Sequence, residues 1–95
     1  MVPVIMMSDF LKLKGANIID IRSIRSYNNN HIEGSINIPY ELLIVYPERY
    51  LLKNKKYYIY CQKGITSAKV VNILNRQGYN TISIQGGYEE WIMEK

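Results

Sequence analysis

Lys56-Tyr57-Tyr58-Ile59-Tyr60-Cys61-Gln62-Lys63-Gly64-Ile65-Thr66-Ser67 holds the sharpest change of pattern in the chain. Its first five residues are aromatic or β-branched apart from the leading lysine, as in a strand. Beyond the loop, Val70, Val71 and Leu74 share one helical face, so residues 66–77 are expected to be helical. Thr66 is the expected N-cap and Gly78 stands just past the end. A strand running straight into a helix through a glycine-bearing loop is half of a parallel β-α-β unit. The other half follows, because Thr81-Ile82-Ser83-Ile84 alternates as a strand should.

Outward from this unit the same alternation continues. Residues 17–21, Asn-Ile-Ile-Asp-Ile, are short and almost continuously apolar, the character of a strand buried on both faces. Residues 2–5 read as an edge strand that tolerates Pro3, and residues 35–38 as a further strand stopped by Pro39. Between them, residues 8–13 are expected to form a helix capped by Ser8 and ended by Gly15, and residues 24–29 a helical turn. Residues 40–52 read as helical or irregular, broken at Pro47. Gly86-Gly87 is a turn, and residues 88–94 a last helix with Trp91 and Ile92 facing inward and Glu89 and Glu90 at its positive end. Strands alternating with crossovers define an α/β domain with a mainly parallel sheet spanning residues 1–95.

Composition narrows the function classes. With 95 residues, 47% of them hydrophobic and 21% charged, the chain suits one globular domain with a modest core. No uncharged stretch approaches the roughly 20 apolar residues of a membrane span, and the first residues lack the basic start of a signal peptide. One cysteine and one histidine exclude an internal disulfide and leave no ligand set for structural zinc, so no metal or other cofactor is expected. The default location is the cytoplasm, where a lone thiol stays reduced. The abundance of isoleucine, lysine, asparagine and tyrosine, all with A/T-rich codons, points to a low-GC bacterial genome. The net charge of +4 is dispersed, and its densest cluster, Lys53, Lys55 and Lys56, reads as strand-edge lysines, not a nucleic-acid patch. Neither nucleic acid nor a membrane is an expected partner, whereas small anions are favoured.

The chemistry gathers where the strands end. Ligands of open parallel sheets bind beyond the carboxyl ends of the strands. Asp20 and Arg22 stand at one such end and Cys61 at another, and parallel strands bring them to one edge. In the loop Cys61-Gln62-Lys63-Gly64-Ile65-Thr66-Ser67 the thiol faces a helix N-terminus, free backbone amides and the Lys63 ammonium, all of which favour thiolate. Gly64 lets those amides turn inward as an anion nest, and Thr66 and Ser67 add hydroxyl donors. A phosphatase of the C-x5-R type would need arginine at the position of Ser67 to clamp phosphate with two hydrogen bonds, and none lies between Cys61 and Lys69. Sulfur transfer needs only a nucleophilic thiolate, an amide cradle and a cation for an anionic donor, and the loop supplies all of them.

Three ordered signatures make the chain similar to the rhodanese family over nearly its whole length. The first is Asp20-Ile21-Arg22, then Tyr27, His31-Ile32, Gly34 and Ile36-Asn37-Ile38-Pro39. The second is the loop at Cys61 with Gly64; the third is Gly78-Tyr79, then Gly86-Gly87 and Trp91. The resemblance implies a rhodanese-like three-layer domain, a five-stranded sheet flanked by helices, with the cysteine carrying a persulfide. It implies a sulfurtransferase that takes sulfane sulfur from an anionic donor, thiosulfate favoured, and gives it to cyanide, a thiol or a protein. The alternatives are a non-catalytic module that binds a partner protein and a persulfide carrier fed by another protein. Asn30 stands where the family usually has glycine, Thr66 where many single-domain members have arginine, and Gln62 where thiosulfate users of the C-R-K-G-V-T type have arginine. Asp20, Arg22 and the displaced cation Arg25 are expected either to support the site or to brace the fold. His31 is expected to be a packed, hydrogen-bonded histidine.

Overall fold

The computed structural model, which describes residues 2–95, forms one sheet of five strands, with neighbours all parallel. The strands are β1 (Val4–Ile5), β2 (Asn17–Asp20), β3 (Ser35–Asn37), β4 (Lys56–Tyr60) and β5 (Asn80–Ile84), in the order β1-β5-β4-β2-β3. The nearly continuous apolar runs thus occupy the centre, and the short segments around Pro3 and Pro39 take the edges. Pairing sets Ile19 opposite Ile59 and Asp20 opposite Tyr60, so β2 and β4 end at the same level.

The period-2 alternation divides the core between two faces. Ile19, Tyr57 and Ile59 pack with Leu43 of α3 (Tyr40–Val45) and with Val70, Val71 and Leu74 of α4 (Ile65–Arg76). Ile18, Tyr58, Tyr60 and Ile84 face the other way, towards Met7 and Phe10 of α1 (Met7–Phe10) and Tyr88 and Trp91 of α5 (Gly87–Glu94). Helix layers on both faces of the parallel sheet make the expected three-layer α/β architecture. The remaining helix, α2 (Ile24–Asn29), buries no side chain and is capped by Ser23, whose hydroxyl accepts from Ser26 N–H.

Several expected details differ. Residue Ser8 is inside α1 and not its cap; Met6 takes that position without a side-chain cap bond, because burial of Met7 and Phe10 one turn apart sets where the helix starts. The segment 40–52 ends its helix at Val45 and continues through a 3-10 turn, Pro47–Arg49. Thr66 is likewise inside α4, because Gly64 at φ +94° takes the capping position. Ile92 is 46% exposed, because Tyr88 and Trp91 occupy the inward face of α5. No helix among the described residues is long and apolar enough to cross a membrane.

Candidate active site

The carboxyl end of β4 delivers Cys61 into a ring of backbone donors. Its sulfur accepts from Gly64 N–H at 3.1 Å and from Ser67 N–H at 3.2 Å, at the start of the twelve-residue α4. The positive end of that helix and two aimed amides together favour negative charge on sulfur. Only a left-handed residue at Gly64 turns its amide inward, and a Cβ there would stand 2.8 Å from the amide nitrogen of Gly86. The sulfur opens into a shallow cleft of about 270 Å³ lined by Cys61, Gln62, Lys63, Ile65 and Thr66. Lys63 is exposed at this mouth with no carboxylate partner among the described residues. A larger cleft, about 450 Å³ and lined in part by Phe10, Ile32 and Trp91, lies at the amino-terminal edge of the sheet, away from the thiol.

The loop is held from behind by the double glycine. Tyr88 N–H donates to the Cys61 carbonyl at 2.9 Å, and Glu89 N–H to the Gln62 carbonyl at 3.0 Å. A Cβ on Gly87 would collide with that same Cys61 carbonyl, so α5 can dock its amino end here only with glycine in place. The Glu89 carboxylate also accepts from Gln62 Nε2 at 3.2 Å, while Gln62 Oε1 accepts from Arg22 Nη1 at 3.4 Å. Sequence reasoning gave Glu89 no part beyond the helix dipole; its bonds to the loop were not visible without the fold.

Asp20 and Arg22 do not reach the cleft. Arg22 is tied to Asp20 by its own N–H at 2.8 Å, by Nε and by Nη2 at 2.8 Å, and its Nη2 also donates to the Asn30 carbonyl at 2.7 Å. Its guanidinium lies 4.1 Å from the ring centre of Tyr88. Tyr60 hydroxyl donates to Asp20 Oδ2 at 2.6 Å and accepts from Ile32 N–H at 3.0 Å. Burial alone would lower the Arg22 pKa, but the hydrogen bonds and charge of Asp20 outweigh it and hold the guanidinium above its ordinary value. Burial, and next the bond to Asp20, push the Tyr60 phenol well above its usual range. This buried polar hub braces the strand ends, and the bond from Arg22 Nη1 to Gln62 Oε1 is its side-chain link to the loop.

The other nominated residues fall apart from the thiol. Arg25 is exposed on α2 and does not line the cleft. His31 stacks on Tyr27 at 3.8 Å, with Nδ1 2.8 Å from the Tyr27 carbonyl, and is packed as expected. Ser67 is wholly buried beneath the sulfur and shares a 2.7 Å hydroxyl contact with Ser83 of β5, a residue that sequence reasoning read only as part of a strand. Among the described residues no group of His, Cys, Asp and Glu is arranged to hold a metal ion.

Comparison with known proteins agrees with this geometry. A family model described as a rhodanese-like domain matches residues 6–94. The thiosulfate sulfurtransferase GlpE of Shewanella oneidensis is 32% identical over 79 residues, which cover 82% of this chain and 77% of that protein. The thiosulfate sulfurtransferase PspE of Escherichia coli is 30% identical over 82 residues, 81% of this chain and 75% of that one. A crystal structure of a rhodanese-related protein from Thermoplasma volcanium superposes with a TM-score of 0.87 at 31% identity, covering 97% of this chain and 92% of that one. A fold of this topology, a cysteine cradled at the start of α4 and a match over almost every residue have one reading: the chain belongs to the rhodanese-like family of sulfurtransferases.

Proposed function

We propose that the protein moves sulfane sulfur from a small anionic donor, thiosulfate favoured, to a thiophilic acceptor through a persulfide on Cys61. The observation that carries this reading is the thiol at the focus of the Gly64 and Ser67 amides, with Lys63 at the cleft mouth. In the first half-reaction the Cys61 thiolate attacks the outer sulfur of thiosulfate. The sulfur–sulfur bond of the donor breaks, and sulfite leaves with the bonding pair. The persulfide anion on Cys61 takes over the cradle, where loop amides hold its charge. In the second half-reaction cyanide, a thiol or a protein thiolate attacks the outer sulfur and restores the Cys61 thiolate. Gln62, Gly64, Ile65, Thr66 and Ser67 form the walls and donors of the site; Asp20 and Arg22 hold the strand ends beneath it. The names of the relatives from Shewanella and Escherichia coli support thiosulfate as donor.

Cys61 is the only thiol, so intact mass gives a direct test. Incubation with thiosulfate is expected to add one sulfur atom, cyanide to remove it, and Cys61→Ser to abolish both events. A protein that never gains mass would refute thiosulfate as donor. A second reading, a carrier loaded by another protein, is favoured by Ile65, 62% exposed at the lip of the cleft, where a protein surface could rest. It predicts mass gain from a protein persulfide and none from thiosulfate.

A further inference from the structure

Ser83 is the fourth of the five residues of β5, opposite Ile59 and Val4, and is 1% exposed. A hydroxyl at such a position is unfavourable unless it is bonded, whereas an alanine there would need no partner. Its partner is the Ser67 hydroxyl at 2.7 Å, itself fully buried. Ser67 Oγ in turn accepts from the Cys61 thiol at 3.5 Å and donates to the Gly64 carbonyl at 3.3 Å. The two serines therefore form a buried hydroxyl pair that ends at the reactive sulfur, on the side away from the cleft.

We infer that Ser83 is a positioning residue that directs the Ser67 hydroxyl hydrogen onto the ionised Cys61 sulfur. In the thiol state Ser67 accepts the S–H bond and turns its own hydrogen to Gly64. When Cys61 ionises, its proton passes to water in the open cleft and the sulfur becomes an acceptor only. The Ser67 hydrogen then turns from the Gly64 carbonyl to the sulfur, joining the Gly64 and Ser67 amides as a third donor. Ser83 donates to Ser67 Oγ, so the Ser67 hydrogen is not spent on Ser83 and stays available to the sulfur. Its backbone is fixed for this by the sheet, with its N–H donating to the Pro3 carbonyl at 3.0 Å. The charged groups on elements packed round the loop are Lys63 within it, Asp20 at the end of β2 and Arg22 just past it, Lys69 and Arg76 on α4, and Glu89, Glu90 and Glu94 on α5. None of these bonds to either serine. The inference deepens the sulfur-transfer reading and rests on it for its purpose, yet thiolate reactivity can be measured without any sulfur donor.

The test is the iodoacetamide alkylation rate of Cys61 at pH 6 and pH 10 in wild type, Ser83→Ala, Ser67→Ala, the double variant and Ser83→Thr, with folding followed by circular dichroism. Ser83→Ala is expected to slow alkylation about three- to ten-fold at pH 6, the net worth of about one ordinary hydrogen bond because Ser83 acts through Ser67, and to leave pH 10 unchanged. Ser83→Thr restores the rate, and the double variant is no slower than Ser67→Ala. Equal slowing at both pH values, or no slowing by Ser83→Ala beside a slowed Ser67→Ala, overturns the inference. Should Ser83→Ala not fold, Ser83→Thr and Ser67→Ala decide it: wild-type rate in the first and slow alkylation at pH 6 alone in the second uphold it, and any other pair overturns it. Serine-dependent alkylation in a protein that gains no sulfur from thiosulfate would sink the donor reading and leave Ser83 in its role.

Discussion

Lys63 and Cys61 divide the work of the proposed site between charge at the mouth and amides at the base. Lys63 is solvent-exposed, so its pull on a dianion is screened as in a surface pair and contributes at most about 1 kcal/mol. Lys63→Ala is therefore expected to lower thiosulfate kcat/KM about two- to five-fold, and added salt to lower the wild-type value in the same direction. Steady-state kinetics at two ionic strengths checks this, and an unchanged kcat/KM in the variant would mean that the lysine does not meet the donor. At this scale the sequence was readable where the chemistry is local. Cys61, Gly64 and Ser67 lie within one strand–loop–helix turn, and their spacing alone puts two amides on the sulfur. Arg25 was nominated by its nearness to a motif position, and it is exposed on α2, a helix that buries no side chain, outside the cleft. Ser83 meets Ser67 across 16 residues of chain and Glu89 meets Gln62 across 27, a closeness that the β4–β5 pairing and the docking of α5 create.

Among the elements, the loop after β4 and the amino end of α5 behave as one piece. Their joint is Gly87 against the Cys61 carbonyl, backed by the amides of Tyr88 and Glu89. Gly87→Ala forces the two apart, so both sulfur loading and stability are expected to fall, the latter by more than about 1 kcal/mol, measured by urea unfolding. A variant as stable as wild type would mean that the joint yields freely. The same joint decides what an arginine at position 62 can do. The family pattern alone suggests that Gln62→Arg adds a second cation for thiosulfate. In the fold, Gln62 bridges Arg22 and Glu89, so a guanidinium placed there is repelled by the first and captured by the second. Gln62→Arg alone is thus expected to change thiosulfate kcat/KM less than two-fold, and Gln62→Arg with Glu89→Gln to raise it several-fold. A large gain from the single change would show that Glu89 does not hold the new side chain. Element boundaries were legible to within a residue or two at Pro39, Pro47 and Gly78, but not at Gly15: α1 ends at Phe10, three residues before the expected Leu13. The cap slipped by two at Thr66, because the left-handed turn at Gly64 overrides the hydroxyl as the helix start.

Across the whole molecule, the alternation of strands and helices sufficed for the architecture, while the buried hub that locks it was hidden in residues with ordinary strand propensity. Tyr60 read as one more aromatic of β4. Its hydroxyl instead ties β4 to Asp20 of β2, to the Ile32 amide ahead of β3 and to the hydroxyl of Ser35, the first residue of β3, so that three strands close on one buried phenol. Tyr60→Phe leaves the Ile32 N–H without its partner and removes one of the three donors to Asp20 Oδ2, which keeps two bonds from Arg22, and is expected to cost about 1–3 kcal/mol at neutral pH. The pH dependence follows from the raised phenol pKa, caused first by burial and then by the Asp20 bond. In the unfolded chain a tyrosine ionises near pH 10, whereas the folded phenol keeps its proton to higher pH. Below about pH 10 both states hold the proton and the stabilisation is complete. Above that value the unfolded chain loses its proton first, and stability falls by up to about 1.4 kcal/mol per pH unit until the folded phenol also ionises. Urea midpoints of wild type and Tyr60→Phe between pH 7 and 11 separate this effect from the other tyrosines and lysines, which both proteins share. The advantage of wild type over the variant is expected to shrink above pH 10. If it stays constant or grows there, the phenol is not held neutral, and the hub owes its strength to the Asp20–Arg22 pair alone.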